Sequence, residues 1–150
     1  RALGATSDGV LAAQATAMGQ TLFNPASVFS YFPPDYEIED GVLGPEFGIQ
    51  SSTTTTSRIN FVTGLVFVGI GQGTPTGGTT LDLSRFTSLS ADPAALVSAV
   101  DRALLHGTMT GEAARNVTAA VAAVPATNAL GRVKTAVSLV ASSSEYQVAR

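Results

Sequence analysis

Five carboxylates fall close together in this chain: Asp35, Glu37, Glu39, Asp40 and Glu46. Hard cations such as calcium favour clustered carboxylate oxygens, and helix–loop–helix calcium sites draw ligands from loop positions one, three, five and twelve. Asp35, Glu37, Glu39 and Glu46 stand at that spacing. Two details argue against a true helix–loop–helix site. Asp40 occupies the sixth position, where the sharp turn needs glycine, and Pro33-Pro34 forbids the entering helix. The sequence therefore allows a looser calcium site at Asp35, Glu37, Glu39 and Glu46. The better reading is a solvated acidic loop that pairs with arginines from elsewhere in a longer protein.

Gly69-Ile70-Gly71-Gln72-Gly73 invites a nucleotide-binding reading. A dinucleotide fingerprint needs a strand before it, a helix after it and a third glycine three places on. Thr74 takes that place and Pro75 follows, so a flexible linker is the better reading. His106 is the only imidazole and stands near a helix end, where the dipole favours a cation. One histidine makes neither a zinc site nor, without a nucleophile-elbow serine, a triad. A structural or surface role is expected for it. Asn116-Val117-Thr118 matches a glycosylation acceptor but falls within an expected helix, so it is noise.

Six of the ten aromatic residues are Phe23, Phe29, Tyr31, Phe32, Tyr36 and Phe47. Such rings stack on sugars in some proteins. The absence of tryptophan weakens that reading here, and they are expected to be apolar anchors that fix an irregular loop onto a core. Arg58 and Asn60 are candidate polar contacts near the same loop.

The elements that must position these residues follow from periodicity. Over 1–24 a helix is expected, capped by Asp8, with Leu11, Ala15, Met18 and Leu22 on one face and Asn24-Pro25 as its stop. Residues 25–50 form an aromatic, proline-broken loop with one short helical turn. Residues 51–70 are ambiguous: Phe61–Val68 has strand composition, yet Ile59, Val62, Val66 and Gly69 make a helical stripe. A lone strand would leave backbone groups unpaired, so helix is preferred. Residues 71–90 read as a Gly/Thr-rich loop. Residues 91–150 hold three helices: Asp92-Pro93 through Leu96, Val97, Val100 and Leu104; Thr110 through Ala114, Val117 and Val121; and Asn128 through Leu130, Val133, Val137 and Val140. Short connections make them antiparallel neighbours. The expected fold is all-α, a small bundle of about four to five helices with a long aromatic/Pro-rich ordered loop.

Composition sets outer limits. The chain has 150 residues, a net charge of −3, 13% charged residues, no cysteine and no tryptophan. These counts exclude a disulfide scaffold, a thiolate metal site, a cysteine nucleophile and a polybasic nucleic-acid module. The charge-free stretch Ile59–Leu81 has a dense apolar part of only 12 residues, Ile59–Ile70. A bilayer needs about 20, so no membrane span is expected. The chain opens on Arg1 without an apolar secretory segment, which reads as a processed or excised piece, though an arbitrary cut would look the same.

Three segments follow one another in a recognisable order: Phe23-Asn24-Pro25-Ala26-Ser27-Val28-Phe29, Phe32-Pro33-Pro34-Asp35-Tyr36 and Gly44-Pro45-Glu46-Phe47-Gly48-Ile49. With the closing Ser144-Glu145-Tyr146-Gln147-Val148-Ala149-Arg150, they resemble the C-terminal third of the "domain of unknown function 1800" family. The resemblance implies a largely helical bacterial protein several times longer, often exported, hence secreted or periplasmic. No biochemical activity is established for that family. Its histidine- and tryptophan-containing motifs lie upstream, so no catalytic role is carried to any residue here. The expected role is that of a structural or interaction module whose partners are the upstream region or like subunits. The alternatives are a calcium-stabilised binding module, or a fragment of an extracellular polymer hydrolase with Asp35, Glu46 or Arg58 at the edge of its site.

Overall fold

Glycines, prolines and capping side chains punctuate this chain into short elements. The computed structural model describes residues 2–73, 75 and 77–147. In chain order these form β1 (Thr6–Ser7), α1 (Ala12–Ala17), β2 (Glu37–Glu39), β3 (Val42–Leu43), a 3-10 turn (Pro45–Ile49), α2 (Ser52–Phe67) and β4 (Thr79–Thr80). Then come α3 (Ser84–Thr87), α4 (Pro93–Leu104), α5 (Gly111–Ala123), α6 (Ala129–Ser142) and α7 (Ser144–Gln147). About 51% of the chain is helical, and the described residues include two small two-stranded sheets. The protein is thus mostly helical but not the pure all-α fold expected from periodicity. Two compact units are present: one combines the N-terminal stretch up to Gly9 with the chain from Val62 onward, and the other is Val10–Phe61.

The first unit contains the core. Asp92 opens α4 by accepting the N–H groups of Ala94 and Ala95 at 3.0 and 3.1 Å, with Pro93 at the first helical position. Thr110 caps α5 through Ala113 N–H, and Asn128 caps α6 through Gly131 N–H. Each of α4, α5 and α6 packs against the other two. Leu96, Val97 and Val100 of α4 meet Val121 of α5 and Val133, Ala136, Val137 and Val140 of α6 in one buried cluster. Burying each valine or leucine contributes about 2 kcal/mol. Phe86 of α3 and Val66 of α2 complete this interior.

An extended strap borders the same unit. β1 runs antiparallel to β4, with Thr6 opposite Thr80 and Ser7 opposite Thr79. Thr79 also exchanges both backbone hydrogen bonds with Ile70, at 2.9 and 2.7 Å. Asp8 donates its N–H to the Gly78 carbonyl and accepts the Gly78 N–H on Oδ2, both at 3.1 Å. Gly78 has φ +75°, and a Cβ there would sit 2.3 Å from the Ile70 carbonyl, so only glycine fits.

These contacts correct two expectations. Asp8 does not cap α1, because its carboxylate is committed to Gly78; Leu11 holds the N-cap position without a side-chain bond. The helix expected over 1–24 is only six residues long. Thr6–Ser7 is drawn into β1, and Gly9 and Gly19, with φ +80° and +88°, stand on either side of α1. The expected loop over 71–90 contains β4 and α3, since Asp82 Oδ1 accepts the Ser84 N–H and opens a short helix that buries Phe86. Arg1, Thr74, Thr76 and Val148-Ala149-Arg150 lie outside the described residues.

The second unit holds little that is buried. Gly44 is its one buried residue. A Cβ on Gly44 would press within 3.0 Å of Phe47 and 3.2 Å of Ile38. Thr54 Oγ1 donates to the Ile49 carbonyl at 2.6 Å, and Ser51 Oγ accepts the Thr54 N–H at 3.1 Å, which fixes the start of α2. The ambiguity over 51–70 resolves to helix.

Candidate functional site

The aromatic segment of the second unit forms a turn with outward-facing rings. Phe23 has φ +56°, a left-handed backbone that costs a bulky residue about 1–3 kcal/mol. Its N–Cα strain persists between the Asn24 N–H to Thr21 carbonyl bond at 3.2 Å and the constraint of Pro25. Four residues on, Ser30 donates its N–H to the Ser27 carbonyl at 3.0 Å, and Ser27 Oγ accepts the Phe29 N–H at 3.1 Å. Val28 and Phe29 ride on that tight reversal. Phe23 is 102% exposed, Val28 95% and Phe29 59%. Across the base of the segment the Tyr31 hydroxyl donates to the Thr21 carbonyl. Residues 9–34 contain no charged side chain.

The anchor expectation for these rings is therefore corrected. Phe23, Phe29, Phe32 and Tyr36 are exposed, and only Tyr31 and Phe47 are half-buried. The physical reason is local. Phe23 and Phe29 lie on tight turns, and Val10–Phe61 offers no large apolar interior to receive the side chains.

The acidic segment is a hairpin. Asp40-Gly41 forms its two-residue connection, with Gly41 at φ +78°, Glu39 opposite Val42 and Glu37 opposite Leu43 across a bulge. Asp35 precedes β2, and Glu46 lies in the first turn of the 3-10 segment. All five carboxylates are exposed. Among the described residues no three histidine, cysteine or acidic side chains converge to hold a metal. Glu37 and Glu39 thus lie on the hairpin, while Asp35 and Glu46 lie on the segments that lead into and out of it. Arg58 joins neither Asp35 nor Glu46 in an ion pair: its Nη2 donates to the Met18 carbonyl at 3.2 Å, and its Nε is buried without a partner.

The remaining candidates resolve into structure. The glycines at 69–73 follow a helix, not a strand. Gly69, at φ +96°, ends α2 by donating to the Gly64 carbonyl at 2.8 Å. His106 is exposed at φ +57° beside Gly107 at φ +82°, closing α4. Asn116 is exposed inside α5. Between α4 and α5 an open groove of about 540 Å³ is lined by Ala94, Val97, Met109 and Ala119, with Asp101 and Arg115 at its rim.

Residues 3–148 match the family model described as "Protein of unknown function (DUF1800)". The chain belongs to that family. No curated protein and no solved structure matches it significantly. No helix among the described residues of this DUF1800 chain is long and apolar enough to cross a membrane.

Sequence reasoning missed two cations that hold this DUF1800 chain together. Arg132 is 8% exposed; its Nε donates to the Val124 carbonyl at the end of α5, and its Nη1 to the Ser90 carbonyl, each at 2.9 Å. The available signal was spacing, because Arg132, Ala136 and Val140 recur every fourth residue and share the buried face of α6. Lys134 donates to the Phe67 carbonyl at 2.8 Å and so satisfies the C-terminal end of α2.

Proposed function

We propose that this chain is a structural or interaction module, the helical C-terminal part of an exported bacterial protein. It docks through its aromatic turn onto the upstream region of the same protein. The observation that carries this reading is the exposure of Phe23, Val28 and Phe29 on two successive hydrogen-bonded turns. Large apolar side chains grouped in one exposed segment mark an interaction site. The lack of any charge over residues 9–34 makes the contact one of water exclusion rather than ion pairing. The buried cluster of the helical unit does not draw on these side chains, so their exposure leaves that core complete.

The test is titration of the chain with the separately produced upstream region, wild type beside a Phe23→Ser, Val28→Ser, Phe29→Ser variant. Binding that persists in high salt and weakens at least about tenfold in the triple variant supports docking. A well-behaved monomer without affinity for the upstream region overturns it. Fractionation of the native host reads export directly, and a cytoplasmic protein would remove that part of the proposal.

A further inference from the structure

Arg85 of α3 and Arg102 of α4 line one hollow of about 290 Å³, together with Phe86, Leu89, Ala99 and Ala103. Both arginines are exposed, and an uncharged partner steadies each. Arg85 stacks 4.6 Å from the centre of the buried Phe86 ring. Arg102 Nη1 donates to Ser98 Oγ, one turn earlier in α4, at 2.8 Å. Stacking uses the flat face of a guanidinium and leaves its in-plane N–H groups available, and a guanidinium carries five of them.

The aspartates of the same stretch do not neutralise this pair. Asp82 accepts the Ser84 N–H, Asp92 those of Ala94 and Ala95, and Asp101 that of Met109. Among the described residues neither guanidinium meets a carboxylate. Two positive charges beside one hollow repel each other, and an anion that binds both removes that cost.

Donor number and charge select the anion. A carboxylate has two oxygens and one charge, so a single arginine fork saturates it. A phosphate monoester brings three acceptor oxygens and a charge of about −1.5 to −2 at neutral pH, which suits two forks and two positive charges. The hollow has more room than a phosphoryl group fills. Leu89, Ala99 and Ala103 give it an apolar side on which the organic part of an ester can rest.

We propose that the Arg85–Arg102 hollow binds the phosphate group of a small, soluble phosphate monoester. Arg85 and Arg102 both donate to its terminal oxygens. This site goes beyond docking through the aromatic turn and shares no residue with it, so either can fail alone.

The test is an NMR titration of the full chain with phenyl phosphate at neutral pH and physiological salt, read at the backbone amides. Saturable shifts centred on Arg85, Leu89, Ala99 and Arg102 are expected. Benzoate, the matching carboxylate, should bind at least about tenfold more weakly. R85Q/R102Q should weaken phenyl phosphate by at least about tenfold, and circular dichroism checks that this variant keeps the helical fold. R115Q removes an exposed arginine outside the hollow and should bind as wild type does. Absence of saturable shifts, benzoate binding as tightly as phenyl phosphate, or an equal loss in R115Q overturns the proposal. So does uptake onto phosphatidic acid vesicles without binding of phenyl phosphate, which would assign the two arginines to a lipid surface.

Discussion

Arg132 Nη1 donates to the carbonyl of Ser90, 42 positions earlier, while its Nε holds the Val124 carbonyl. One planar cation therefore joins the loop before α4 to the end of α5 from its seat on α6. Hydrogen bonds from a charged donor are worth about 1.5–3 kcal/mol each, and the carbonyls left behind would be partly buried. Arg132→Ala is expected to cost about 3 kcal/mol or more in denaturant unfolding. Arg132→Lys should recover less than half of that, because an ammonium lacks the fixed fork that reaches both carbonyls. A loss below about 1 kcal/mol for the alanine variant would mean the two bonds contribute little.

His106 gives a change in the other direction. Its backbone is left-handed and its side chain is exposed, so replacement removes strain and little else. His106→Gly is expected to stabilise the chain by about 1 kcal/mol, read as a higher melting temperature. Unchanged or lower stability would show that the imidazole makes a contact worth as much as the strain.

Gly78 should tolerate no side chain. A methyl group there meets the Ile70 carbonyl at 2.3 Å on a backbone already at φ +75°. Gly78→Ala is expected to destabilise by about 3 kcal/mol and to raise amide exchange at Thr6, Ser7 and Thr79 selectively. Uniform exchange across the chain would place the loss elsewhere.

Asp82 sets an acid-side dependence. The Ser84 hydroxyl first, then the Ser84 backbone N–H, hold its carboxyl below the usual carboxylate range. A folded pKa lower than the unfolded one gives stability that is present above the unfolded value and lost as pH falls through the folded one. The wild type should thus lose this contribution below about pH 4, and Asp82→Asn should flatten that part of the profile. Superimposable acid profiles for the two proteins would contradict the assignment.

Calcium provides a further check. With Glu37 and Glu39 on an exposed hairpin and Asp35 and Glu46 exposed on either side of it, a chelator is expected to leave the melting temperature unchanged. A fall on chelation, restored by added calcium, would establish the metal site that the spacing suggested.

Legibility followed the range of the determining interaction. Asp92, Thr110 and Asn128 act on amides two or three residues away, and the valines of α6 recur within one helix, so α4 to α6 could be read from local pattern. The strap could not. Ser7 and Thr79 are 72 positions apart, and two-residue strands of serine and threonine carry no periodic signal. The hairpin had a readable cue in Asp40-Gly41, the dipeptide that favours its turn, but the acidic spacing drew attention to metal chemistry instead. The outward rings were the hardest to foresee. Apolar content predicts burial only where some partner surface exists, and composition does not say whether Val10–Phe61 supplies one.

The pairing of β1 with β4 means that the polypeptide leaves the helical unit after Gly9 and rejoins it at Val62. The intervening 52 residues are in effect a cassette spliced into a frame that is anchored on both sides of the splice. Under the docking role proposed above, this layout lets the segment Val10–Phe61 change while the frame, tied by β1 to β4, keeps its own buried cluster.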